Sequence, residues 1–196
     1  MLALQFRFQN RQRQLRLAQL GQSPRGGPGC ARSRAGGITA VPWSDTRYPT
    51  ALAAIADPPP VLWIRGDPEA LRAPTVAIVG SRAGSAYARD VGRELGSGLA
   101  RCGVTVVSGL ARGVDSAAHR GALAVDGRTV GVLGSGVDIV YPPEHSGLAR
   151  EVVRRGALVS ELPPGTTPRP AYFPQWNRLI SGLSRAVVVV EASTRS

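Results

Sequence analysis

The sequence predicts an α/β fold, a doubly wound and mainly parallel sheet. Three observations carry that prediction. Short β-branched runs recur along the chain, a Gly/Ser-rich turn follows most of them, and a helix-compatible stretch separates each run from the next. The runs are near-continuous rather than alternating, as expected of parallel strands covered on both faces. In chain order, VLWIRG (61–66) comes first and is expected to add an edge strand. TVAIVG (75–80) opens the regular part and leads into a helix over 85–101. VTVVSG (104–109) follows with a helix over 114–125, and TVGVLG (129–134) with one over 144–155. ALVSEL (157–162) precedes a helix over 174–183, and AVVVVEA (186–192) is the last strand. Repeated strand–helix–strand units call for right-handed crossovers. The 24 glycines and 16 prolines suit many short connections better than a helical bundle.

The 196 residues carry 24 basic and 13 acidic groups, and every basic residue is arginine. The excess points toward a polyanion, although replacement of all lysine by arginine beside abundant Ala, Gly and Pro also reflects a GC-rich coding sequence. Residues 1–40 hold seven arginines and no acid, whereas 41–196 hold 17 arginines against all 13 acids, a net of +4. The first segment lacks a sustained period and reads as a disordered basic extension, with 41–196 as the folded domain. Cys30 and Cys102 lie far apart without metal-ligand spacing, so a zinc module or disulfide scaffold is not expected and a reducing, cytoplasmic setting is. No run approaches 18 apolar residues, so no transmembrane helix is expected.

An open parallel sheet binds ligands beyond the carboxyl ends of its strands, where loop amides and helix N-termini converge. Three loops fall there: GSRAGS (80–85), SGLARGVDSAAH (108–119) and GSGVDIVYPPEH (134–145). Glycine lets the backbone approach an anion, serine adds a hydroxyl, and Arg82 and Arg112 suit a bidentate grip on phosphate. The dinucleotide fingerprint is missing, since Ile139 stands where the third glycine would, and without lysine there is no P-loop. A nucleophile–histidine pair built from Ser81 or Ser108 with His119 is conceivable, but no G-x-S-x-G elbow exists. Asp115 and His119, four residues apart, read more simply as a first-turn acid with a histidine one turn later. In PPGTTPRPAYFPQWNRLISGLSR (163–185), Arg169 and Arg178 are interleaved with Tyr172, Phe173 and Trp176. That mixture offers flat faces for bases and cations for phosphates, or else the aromatics pack the loop onto the sheet.

The ordered motifs VAIVGSR, VVSGLARGVDSAAHRGAL, GVLGSGVDIVYP, SELPPGT, FPQWNRLISGLS and VVVVEA closely resemble the DNA-processing protein A family, also called DprA or Smf, over about Tyr48–Ser193. The resemblance implies an extended Rossmann-like domain that binds single-stranded DNA, dimerises, loads a RecA-type recombinase during natural transformation, uses no cofactor and catalyses no reaction. Carried over by position, Gly80, Ser81, Arg82 and the loop containing Ser108, Gly109, Arg112 and Gly113 would form a basic phosphate pocket, with Arg169, Asn177 and Arg178 alongside. This sequence departs from the family in having Trp176 where arginine is usual, an arginine-rich start in place of a helical domain, and an end at EASTRS that reads as a truncation. Such a truncation leaves the dimer surface and sheet edge incomplete. The rival reading is a nucleotide-cleaving phosphoribohydrolase with Glu161 or Glu191 as its acid, but the P-G-G-x-G-T loop of those enzymes is absent and PPGT (163–166) stands nearest to it.

Overall fold

In the computed structural model, residues 37–169 and 173–192 are described. The expectations for the basic extension up to residue 36 and for Tyr172, and for the side chain of Phe173, lie outside them. The β-branched runs become strands: β1 (Ile38–Pro42), β2 (Val61–Gly66), β3 (Thr75–Gly80), β4 (Thr105–Ser108), β5 (Thr129–Val132), β6 (Ala157–Ser160) and β7 (Ala186–Val190). They form one sheet in the order β1-β2-β6-β5-β4-β3-β7. Pairing is parallel from β6 across to β7 and antiparallel between β1, β2 and β6. The sheet is therefore the expected doubly wound, mainly parallel one.

Two expectations at the ends of the sheet change. VLWIRG is a strand but not an edge, because β1 pairs outside it with Ile38 opposite Arg65 and Pro42 opposite Val61. A boundary at residue 40 therefore cuts through β1. At the other end, among the described residues, β7 pairs only with β3, and although its valines run uninterrupted, Val187 and Val189 are 44% and 60% exposed. Only β4, β5 and β6 are buried along their whole length.

The helices are α1 (Thr50–Ala53), α2 (Ala86–Arg101), α3 (Val114–Leu123), α4 (Ser146–Arg155) and α5 (Phe173–Gly182). Ser85 caps α2 by accepting the Ala88 N–H at 3.1 Å. Alternation along the strands splits the core into two layers. Ile78, Val106 and Val190 pack with Ala88, Val114 and Ala118 of α2 and α3, and Leu158 packs with Leu148 and Val152 of α4. On the opposite face Ala77, Val107, Val130, Val132 and Val159 pack under Leu179 and Ile180 of α5, Leu183 just after it and Leu52 of α1. Because β3 leads leftward to β4 and the chain returns to its other side as β7, the strand order reverses between β3 and β7. Ligands of such sheets bind outside that reversal.

Candidate functional site

At this reversal, beyond the carboxyl ends of β3 and β7, the structure holds an open cavity of about 770 Å³. Its floor is Val79, Val187 and Val189, the strand faces that α5 leaves uncovered; Trp176, Asn177 and Ile180 of α5 form one wall, and Gly80, Ser81 and Arg82 form the rim. Its walls are mainly apolar. A smaller cleft of about 70 Å³ adjoins it, shares Arg82, Ala111 and Trp176, and is completed by Gly109, Arg112, Tyr141 and Pro142.

The first two strand-end loops are locked together by backbone contact. Gly113 precedes α3 with φ +76, and a Cβ there would lie 2.2 Å from the Ser81 carbonyl. Only glycine satisfies both the left-handed backbone and the approach. Beneath these loops sits Asp115, in the first turn of α3 and 6% exposed. Burial pushes its carboxyl up to about 6, against the opposing pull of the Gly109, Ala111 and Gly80 N–H groups. The Gly109 N–H donates to Asp115 Oδ2 at 3.1 Å. Loop amides that the sequence assigns to a phosphate are thus turned on an internal carboxylate.

A second carboxylate does the same at α2. Glu191, directly after β7 and with φ 53, accepts the Ser85 N–H at 2.9 Å and the Ser85 hydroxyl at 2.6 Å. These two bonds hold the Glu191 carboxyl below its ordinary range.

The sequence-predicted residues divide accordingly. Gly80, Ser81, Arg82 and Asn177 line the cavity, and Gly109 and Arg112 line the cleft. Ser108 is fully buried and its hydroxyl donates to the Ile78 carbonyl at 2.6 Å, so it presents nothing to a ligand. Gly113 shapes the loops from behind. Arg178 is turned away from the role expected of it: its guanidinium grips Glu161 through two bonds of 2.7 Å and pairs with Asp57 at 3.6 Å. Burial by itself would lower the Arg178 pKa, but Glu161 and Asp57 outweigh it and raise it. Arg112 is exposed and places both Nε and one terminal nitrogen 2.6 Å from Glu144 Oε1. Arg169 is exposed in the loop after β6, outside the cavity wall.

The third loop contributes differently from the expectation. A Cβ on Gly134 would fall 1.5 Å from the Trp176 ring, so this glycine exists to seat the indole, which is 9% exposed. The Ser135 hydroxyl donates to the Ile139 carbonyl at 2.6 Å. Trp176 is therefore chiefly a core residue whose edge reaches the cavity. The loop meets the site only through Tyr141 and Pro142, residues the sequence reading passed over, as it did Asp115 in this role.

Ser108, His119, Glu161 and Glu191, weighed for catalysis, have other partners. The His119 ring is fully buried, its Nδ1 is 2.7 Å from Thr129 Oγ1, and burial together with His145 lowers its pKa to about 3. The Thr129 hydroxyl donates to the Val106 carbonyl, which leaves His119 Nδ1 as the donor of the pair. Glu161 and Glu191 are occupied as described. No helix of the described residues is long and apolar enough to cross a membrane.

Residues 39–196 match a model of the DNA recombination-mediator protein A family. Among curated relatives, Protein Smf of Escherichia coli is 45% identical over 157 residues, covering 80% of this chain and 42% of that protein. DNA processing protein DprA of Bacillus subtilis is 40% identical over 167 residues, covering 85% of this chain and 56% of the relative. The chain thus spans roughly half the length of these relatives. Among solved structures, DNA processing protein A from Streptococcus pneumoniae superposes with a TM-score of 0.78 at 37% identity, covering 85% of this chain and 59% of that one. DNA processing protein A from Helicobacter pylori, a structure described for its single-stranded DNA binding mode, gives 0.74 at 30% identity, covering 81% and 71%.

Proposed function

Because the chain belongs to the DNA recombination-mediator protein A family, we propose that it binds single-stranded DNA without catalysing a reaction on it, and hands that DNA to a RecA-type recombinase. A homodimer in the cytoplasm is part of the same reading, as is a role in taking up transforming DNA. The observation that carries the reading is the cavity at the reversal of strand order: mainly apolar walls with the Trp176 edge among them, and Arg82 at the rim. Apolar and aromatic walls receive bases, and a cation at the rim receives the backbone between them. A solved relative described for its single-stranded DNA binding mode shares the same fold at 30% identity. The rival phosphoribohydrolase reading finds less support, since both of its proposed acids are tied to neighbours.

Arg178 is held by Glu161, which leaves Arg82, Arg112 and Arg169 as the exposed members of the four arginines expected to contact phosphate. With about three phosphate contacts, log K for a single strand falls against log salt with a slope of roughly −2. Four contacts, with Arg178 among them, would give roughly −3. Arg82→Ala weakens every sequence alike and makes the slope shallower by about 0.7, because a phosphate contact positions a strand without reading it. Anisotropy titrations of a labelled oligothymidylate at several salt concentrations measure both quantities. A slope near zero, or a base preference that appears with Arg82→Ala, refutes the reading.

A further inference from the structure

The small cleft beside the cavity has the makings of a nucleotide site of its own. Tyr141 is 44% exposed in it, with Pro142 buried behind the ring's backbone. Arg112 and Arg82, the latter shared with the main cavity, also line it. A partly exposed aromatic ring in one cleft with two guanidinium-bearing residues repeats the pattern that receives a base and its flanking phosphates. The cleft and the cavity meet at Arg82, Ala111 and Trp176, so a strand leaving one enters the other without crossing a ridge of unrelated residues.

Glu144 is the obstacle and also the informative part. Arg112 directs two nitrogens to a single oxygen, Glu144 Oε1, at 2.6 Å, and both side chains are solvent-exposed at 61% and 47%. Its own backbone N–H and the Arg112 hydrogen bond keep the Glu144 carboxyl below its ordinary range. An ion pair this wet is weak, and a phosphodiester offers the same planar fork the same geometry. Glu144 therefore occupies the place of a backbone phosphate and is displaced by one.

We propose that this cleft is a second nucleotide subsite for single-stranded DNA, in which a base stacks on Tyr141 and the linking phosphate replaces Glu144 on Arg112. The inference rests on the single-stranded DNA reading above and adds the path of the strand, from the cavity past Arg82 toward Tyr141. Glu144 then sets the affinity by competing for Arg112.

The test uses the full chain with a labelled oligothymidylate of about ten nucleotides. Tyr141→Ala weakens the oligonucleotide about fivefold or more, the loss expected when one stacked base is given up. Tyr141→Phe keeps the ring and binds as the unsubstituted protein does, which separates stacking from any effect of the substitution on folding. Glu144→Gln strengthens oligonucleotide binding a few-fold by releasing Arg112. Equal oligonucleotide affinity for Tyr141→Ala and Tyr141→Phe, or no gain from Glu144→Gln, overturns the second subsite while the main reading stands. Absence of oligonucleotide binding by the unsubstituted chain removes both.

Discussion

Asp115 lies under the loops that frame the cavity, and its titration gives a sharp test of how the site is built. Its carboxyl titrates at about 6 in the fold against an ordinary value of 3.8. A group whose folded pKa is raised contributes stability that is complete below the unfolded pKa and lost as pH rises through the folded one. The whole effect is about 3 kcal/mol, and the part between about pH 5 and about pH 7.5 is about 1.4 kcal/mol. Other groups titrate in the same window: His119, depressed to about 3, acts in the opposite direction, since a buried neutral histidine loses stability as pH falls through its ordinary range. Those contributions are shared by an Asp115→Asn variant and cancel in the difference between the two proteins. Urea unfolding of both at the two pH values therefore shows the advantage of the natural residue shrinking by about 1.4 kcal/mol on going to the higher pH. On the proposed function, DNA binding follows the same linkage, because a phosphate entering the cavity would raise the proton affinity of Asp115 further. Oligonucleotide affinity of the natural protein rises as the pH is lowered through about 6, and that of Asp115→Asn stays flat by comparison. A stability difference independent of pH would refute the claim that this carboxylate is held ionised at a cost beneath the loops.

Arg178→Ala leaves Glu161, 19% exposed, without its main cation, so urea unfolding registers a loss of about 2 kcal/mol while the salt slope of oligonucleotide binding stays unchanged. A slope shallower by about 0.7 would return Arg178 to the phosphate contacts. Gly134→Ala puts a methyl group 1.5 Å from the Trp176 ring, and the indole must move. Thermal unfolding shows a loss of about 3 kcal/mol, and a red shift of tryptophan emission reports the ring leaving its seat. An unshifted spectrum with full stability would show that the loop yields instead.

The parallel core was legible because its physics is local and repetitive: β-branched runs of four to six residues, each followed by a turn and a helix-compatible stretch. The two ends of the sheet were not. AVVVV reads the same whether covered on two faces or one, and only its position as the last strand in the order exposes Val187 and Val189. ITAVP is five residues with a terminal proline, adjoining a Gly-rich stretch, and nothing in it marks a strand until Val61–Arg65 is available to pair with it. At the site, glycine spacing announced three loops of one kind, yet Gly113 answers a backbone collision and Gly134 an indole. Both causes lie in residues distant along the chain, 32 positions away at Ser81 and 42 at Trp176, and spacing carries no trace of them. Asp115 could have been suspected from an acid placed immediately after a glycine-rich turn, but its companions at Gly80 and Gly109 are joined to it only by the fold.

A sequence displays donors more readily than the acceptors that will claim them. Arginines and loop glycines stand out in this chain, and the acids that matter are scattered: Asp115 takes loop amides, Glu191 takes Ser85, Glu161 takes Arg178 and Glu144 takes Arg112. The net charge of +11 is consequently a poor guide to the site, whose lining includes both Arg82 and the buried carboxyl of Asp115. Attraction to phosphate alone cannot select the ligand, because a duplex offers the same phosphates. What a duplex does not offer is the exposed face of a base. The apolar floor of Val79, Val187 and Val189, the Trp176 edge and the Tyr141 ring next door reward that face and nothing else on a nucleic acid. On the proposed function, a preference for a single strand follows from this apolar and aromatic lining.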